Sequence, residues 1–225
     1  MSQDLPGQNL SGQNLSGQNL TAPDFVAGIE RAAKKALEIT DTLNELDGAM
    51  GDGDTGVSVG KGANGVLEHI KANPPGDDLG KWLAGVGMAY NRVAPSTMGA
   101  LVATALMRAG KEAIGLSSVD AGTLAKMLGA ANVGIQERGK AKPGDKTLVD
   151  ALHPAAEAFA NTIETGSGLT DACTAMLEAA RVGRDAATPL RSMIGRANWV
   201  GGTEGKLDPG CVLLVTVLEA LVEST

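Results

Sequence analysis

The sequence predicts an all-α fold in a single domain of eight helices. Three observations carry that prediction. Apolar residues recur every three to four positions through most of the chain, which is the period of a helix with one buried face. Aromatic residues make up only 2% of the 225 residues, against 43% hydrophobic residues in all. Such a composition, rich in alanine and glycine, suits closely packed helices better than a β-sandwich, which draws on β-branched and aromatic residues. The separators between periodic stretches are turn-formers and cap residues rather than hairpin signals.

The first 20 residues stand apart. Pro6-Gly-Gln-Asn-Leu10 is followed by two copies of Ser-Gly-Gln-Asn-Leu. A polar repeat of this kind buries too little apolar surface to offset the entropy of ordering it, so residues 1–20 are expected to form a flexible tail and 21–225 the folded domain. From Thr21 the pattern turns helical. Thr21 or Asp24 is placed to cap a helix whose apolar face is Phe25, Ile29, Ala32, Ala36, Ile39, Leu43 and Leu46. A glycine-rich acidic loop ends it, and a second helix runs from about Val57 to about Ile70. Asn73-Pro-Pro-Gly-Asp77 breaks the chain. Further helices fit about 79–92, 97–114, 120–138, 147–165, 169–187 and 209–223, with Asp120 and Ser167 at N-cap positions. The apolar run from Cys211 follows Asp208-Pro209-Gly210, a good helix opening, and reads as a buried final helix.

Charge and cysteine usage narrow the function classes. A formal charge of −7 and no basic cluster argue against a nucleic-acid surface. No apolar run reaches the ~20 residues of a membrane span. Two isolated cysteines, Cys173 and Cys211, fit core positions in a reducing cytoplasm better than a disulfide framework.

The chemistry concentrates between Leu46 and Gly60. Asp47, Asp52 and Asp54 fall within eight positions, interleaved with Gly48, Gly51, Gly53 and Gly56. Carboxylates so close repel unless a cation sits between them, and the glycines allow the backbone to turn all three inward. Hard oxygen ligands with positions left for phosphate suit Mg²⁺. The chain passes through Thr55-Gly56 directly into a helix, whose unpaired N-terminal amides would add an anion site. Familiar alternatives fail. Gly51, Gly53 and Gly56 match a dinucleotide fingerprint, but no strand precedes them. The twelfth position of an EF-hand loop starting at Asp52 is Ala63. Gly139 to Thr147 approaches a Walker loop, but Asp145 interrupts its Gly-Lys-Thr junction. Asp145 and Lys146 read as residues of a turn and helix start, and His69 and His153 as surface or core residues rather than bases. Arg196 beside Trp199 reads as a surface cation stacked on an indole.

Leu46-Asp47 through Gly56, Gly139 through Leu152, and Gly195-Arg-Ala with Asp208-Pro-Gly210 together resemble the nucleotide-binding (L) subunit of dihydroxyacetone kinases. The motifs stand in that family's order across about 180 residues. The resemblance implies a barrel of eight antiparallel helices with a nucleotide, ATP or ADP, at one end. Asp47, Asp52 and Asp54 would hold two Mg²⁺ ions. Thr55, Gly56, Val57 and Ser58 would contact phosphates or ribose, and Thr97 and Met98 stand where a glycine- and serine-rich phosphate turn is usual. Gly139 and Leu148 would line the adenine pocket, Arg196 would contact the nucleotide, and Asp208, Pro209 and Gly210 would close over it. Thr55 replaces a frequent histidine, and the Gly201–Leu207 loop is about one residue short and lacks a familiar arginine.

The implied activity is phosphoryl transfer to a small ketose held on a separate dihydroxyacetone-binding K subunit, because no such domain stands in this sequence. A phosphotransferase (M-type) subunit that recharges bound ADP, or freely exchanging ATP, would be the donor. The alternative is a Mg-nucleotide-binding regulatory module without catalysis. The sequence is compatible with a homodimer.

Overall fold

The computed structural model describes residues 19–223. Residues 1–18, most of the expected tail, lie outside the described residues. Leu20, placed by sequence in the tail, pairs with Val119: β1 (Leu20–Thr21) and β2 (Ser118–Val119) form an antiparallel pair of two residues each. So short a pair has no hydrophobic period to betray it.

The helices in chain order are α1 (Ala22–Glu38), α2 (Thr40–Gly48), α3 (Thr55–Ala72), α4 (Leu79–Val93), α5 (Thr97–Lys111), α6 (Ala121–Gly139), α7 (Val149–Glu164), α8 (Leu169–Ala187), the single-turn α9 (Ala197–Val200) and α10 (Pro209–Val222). Eight are long. They pack in sequence, α1 on α3, then α4, α5, α6, α7, α8 and α10, and α10 returns to α1. The ring is therefore closed, and the eight-helix expectation holds for its members.

The two additional helices have local causes. The first periodic stretch is not one helix. Ile39 leaves helical geometry at φ −106° and ψ 10°, and the Thr40 hydroxyl donates to the Leu37 carbonyl at 3.1 Å. A β-branched pair and a competing side-chain bond interrupt the ladder here, while apolar periodicity runs through the kink unbroken. The short α9 sits in the segment between α8 and α10 and has no buried residue, so it left no apolar signature in the sequence.

Asp120 caps α6 as expected. Asp78, Ser96, Asp120 and Asp208 accept from the backbone N–H three residues on, at 2.7–3.1 Å, each worth about 1 kcal/mol. At α1 both the amide and the hydroxyl of Thr21 donate to Asp24. Ser167 is not the cap of α8. Gly168 takes that position without a side-chain bond.

Small residues set the seams. Ala151, Ala155, Ala172 and Ala180 are fully buried beneath Phe159 and Val215, which brings α7, α8 and α10 close. Pro154 lies inside α7, so its nitrogen cannot meet the Asp150 carbonyl. The bare face of Gly183 on α8 lies against that carbonyl instead. A second cluster, with Leu43, Val59, Leu79 and Val86, joins α2, α3 and α4. Between the helices the barrel encloses an apolar cavity of about 240 Å³ lined by residues such as Ile29, Val86, Met98, Leu101 and Leu213. Because successive helices run up and down, the connections 49–54, 94–96, 140–148 and 188–208 all fall at one end. The acidic loop is at that end. No described helix is long and apolar enough to cross a membrane.

Candidate metal and phosphate site

Asp47 lies in the last turn of α2, Asp52 in the loop, and Asp54 at the N-cap of α3. Each offers an oxygen within 4.8 Å of the others. The loop is organised by Asp47, whose Oδ2 accepts from the amides of Asp54 at 3.0 Å and Thr55 at 3.1 Å. Gly53 makes the return turn at φ +76°, a conformation a side chain disfavours. Gly56 is buried where α3 crosses the α1–α2 kink. A Cβ there would collide with the Thr40 carbonyl oxygen and sit 2.6 Å from Asn44 Oδ1. The kink and the glycine together let the acidic loop and the start of α3 meet.

The N-terminal amides of α3 are not free in the way the sequence suggested. Asp47 takes that of Thr55, and Asn44 Oδ1 accepts that of Val57 at 3.2 Å. Acceptors on α2 thus satisfy two of the orphan amides of this helix start. What faces outward is the carboxylate set itself, together with the half-buried Thr55 and Ser58. Three hard oxygen donors gathered this closely suit a hard cation such as Mg²⁺.

Two cations reach this loop from the 188–208 segment. Arg196 pairs with Asp52 across the end of the barrel, and Lys206 Nζ donates to the Ala49 carbonyl at 2.7 Å. Arg196 is therefore not stacked on Trp199, which is 88% exposed. The carboxylate attracts the guanidinium more strongly than an indole face in water does.

The remaining sequence candidates form a second group. Gly139 at the end of α6 lies against Leu101, and Leu148 packs in the same cluster. Gly210 lies against Leu148, 3.1 Å from its Cβ to an added methyl. Asp208, Pro209 and Gly210 are the cap and first turn of α10 rather than a free-standing loop. Asp208 keeps an open edge, yet its carboxyl lies deep among protein atoms, and desolvation pushes it up to about 6 despite its bond to the Cys211 amide. Thr97 is exposed in the first turn of α5, while Met98 turns inward to line the central cavity. The position at which the resemblance expects a phosphate turn thus carries an apolar side chain that lines the cavity.

Sequence reading missed Asn44, Lys206, Thr203 and the role of Lys146. Asp145 does hold the turn, accepting from Lys142 N, and the helix start is held by Asp150, which accepts from Gly144 N and Thr147 N. Lys146 does neither. It is 2% exposed, and its ammonium donates to the carbonyls of Thr188 at 2.7 Å, Leu190 at 3.0 Å and Thr203 at 2.8 Å. Burial lowers its pKa, opposed by Asp208 and Glu204. A lysine in a Pro-Gly-Asp-Lys turn reads as a surface residue, and its φ of +57° is invisible in the sequence. Asn44, three residues before Asp47 on one helix, was the one locally legible omission. His153 meets the buried Asn132 and the exposed Glu157, and His69 meets Asn73 at the C-cap of α3.

Residues 49–223 match the DAK2 domain family. The ADP-binding subunit DhaL of PEP-dependent dihydroxyacetone kinase 2 from Listeria innocua is 31% identical over 189 residues, which cover 80% of this chain and 86% of that one. Human triokinase/FMN cyclase is 28% identical over 87% of this chain and 34% of its own length. The chain therefore spans about a third of the longer relatives it matches. In a crystal structure of the C. freundii dihydroxyacetone kinase in complex with AMP-PNP and Mg²⁺, 38% of the chain superposes on this one at a TM-score of 0.69 and 22% identity, a likeness of fold.

Proposed function

Because the chain belongs to the DAK2 domain family, we propose that it is the nucleotide-binding, phosphoryl-transferring subunit of a kinase for dihydroxyacetone or a related small ketose, working with a separate substrate-binding subunit. One observation carries the reading: Asp47, Asp52 and Asp54 converge within 4.8 Å at the mouth of the barrel. Its support from relatives is the ADP-binding subunit that the chain matches along most of its length.

Two Mg²⁺ ions held by these acids would neutralise charge on the β- and γ-phosphates. The chain's own residues do the rest by position. Asp47 fixes the loop through the Asp54 and Thr55 amides, so the carboxylates are aimed before the nucleotide arrives. The hydroxyls of Thr55 and Ser58 are left for phosphate oxygens. Arg196, now on Asp52, offers its charge to the phosphates once the acid is otherwise neutralised. Gly139 and Leu148 give an apolar wall for adenine, and Pro209 and Gly210 complete it. The acceptor ketose would come from the partner subunit.

Calorimetry with Mg-ATP, on the wild type and on the Asp52→Ala/Asp54→Ala double variant, tests the site. The expected result is binding that the double variant abolishes. Addition of a K subunit and dihydroxyacetone should then consume ATP. Slow exchange of bound ADP, with turnover only when a phosphotransferase (M-type) subunit is supplied, would assign the donor to that protein. The inward Met98 favours one second reading, a regulatory module that binds Mg-nucleotide without transferring it. Tight binding with no turnover of any small ketose decides for that reading.

A further inference from the structure

The 188–208 segment carries Arg196 to the acidic loop, yet among its described residues it contributes little to the core. Gly195, Gly201, Gly202 and Gly205 all have positive φ, α9 has no buried residue, and Met193, Trp199 and Val200 are more than half exposed. Its order comes from two roots instead. Leu190 and Thr203 lie near the two ends of the excursion, and Lys146 holds both carbonyls together with that of Thr188. Around that ammonium the roots are tied to each other: Ser192 N donates to the Thr203 hydroxyl at 2.9 Å, and Gly205 N to Thr188 O at 2.9 Å. Met193 N bonds to the carbonyl of Asp145, the neighbour of Lys146.

An ammonium with three donors spent on three carbonyls has no valence left for phosphate. We propose that Lys146 is a positioning residue: it pins the two roots of the Arg196 loop to the α6–α7 connection, so that Arg196 is delivered to the Asp52 edge of the metal and phosphate site. This rests on the function proposed above. Without the clamp the loop keeps its sequence and its exposed tip, but its roots separate and Arg196 samples many positions.

The test is a double-mutant cycle on the full chain, with Mg-ATP affinity as the readout. Arg196→Ala in the wild-type background should weaken binding about tenfold, as expected for loss of a charge-assisted contact. In a Lys146→Met background, already weakened, Arg196→Ala should cost less than about twofold, because the arginine is no longer delivered. A second readout needs no ligand. The anisotropy of Trp199, isolated by subtracting the Trp199→Phe counterpart of each protein, should fall in Lys146→Met. Should Lys146→Met fail to fold, Thr203→Val loosens the same roots by removing the acceptor of Ser192 N, and the same cycle applies. A full tenfold cost of Arg196→Ala in both backgrounds, or no cost in the wild type, overturns the clamp while leaving the function standing. A wild type that binds no Mg-ATP overturns the proposed function, and the positioning role with it.

Discussion

The three acids of the loop are chemically alike but not structurally equivalent, and stability measured without metal should separate them. Asp47→Ala removes a carboxylate that accepts two amides, at 3.0 and 3.1 Å. Asp54→Ala removes one for which no such bond is seen. Both changes relieve repulsion in the same cluster, where carboxylate oxygens within 4.8 Å of one another repel by about 0.9 kcal/mol or more in water. The relief largely cancels in the comparison, leaving the two amide bonds. Each is worth about 1.5 kcal/mol to a charged acceptor, and partial exposure trims the pair to about 2 kcal/mol. For a domain of this size that is a melting difference of roughly 4–8 °C. Differential scanning calorimetry in EDTA should therefore place Asp47→Ala below the wild type and Asp54→Ala at or slightly above it. Calorimetric titration should show both losing Mg-ATP binding. Equal destabilisation by the two substitutions would refute the claim that Asp47 organises the loop.

Gly56→Ala forces a methyl onto the Thr40 carbonyl, a backbone atom that cannot rotate away. It should cost about 3 kcal/mol or more and weaken nucleotide binding as α3 is displaced, read by thermal melting and titration together. Gly76→Ala, at an exposed turn with open space around it, is the matching control and should shift melting little. For Asp208, whose folded pKa is raised to about 6 by burial, the stability it contributes is present below the unfolded value near 3.9 and lost as pH rises through about 6. The wild type should thus gain relative to Asp208→Asn as pH falls from 7.5 to 4.5, by on the order of 3 kcal/mol at most. A flat difference across that window would refute the raised pKa of Asp208. Met98→Ser restores the residue type the phosphate turn usually carries but empties part of the apolar cavity wall. It should destabilise by about 2 kcal/mol, and gain of turnover without gain of affinity would favour the regulatory reading of the native methionine.

What was legible in the sequence was local. Helical period and cap residues located the eight ring members, because burial of one face recurs every turn wherever the neighbours are. The Asp-Gly spacing located the acids, because three like charges and intervening glycines need only a few residues of chain to converge. The kink at Ile39 escaped, since its cause is one backbone ladder interrupted under a continuous apolar stripe. What the tertiary structure decided was pairing at a distance. Arg196 meets Asp52 across 144 residues, and Lys146 meets carbonyls 42, 44 and 57 residues away. Backbone carbonyls are identical in every residue, so no sequence pattern marks the three that a buried ammonium will choose. Only closure of the ring, which sets the α6–α7 and α8–α10 connections side by side, makes that choice.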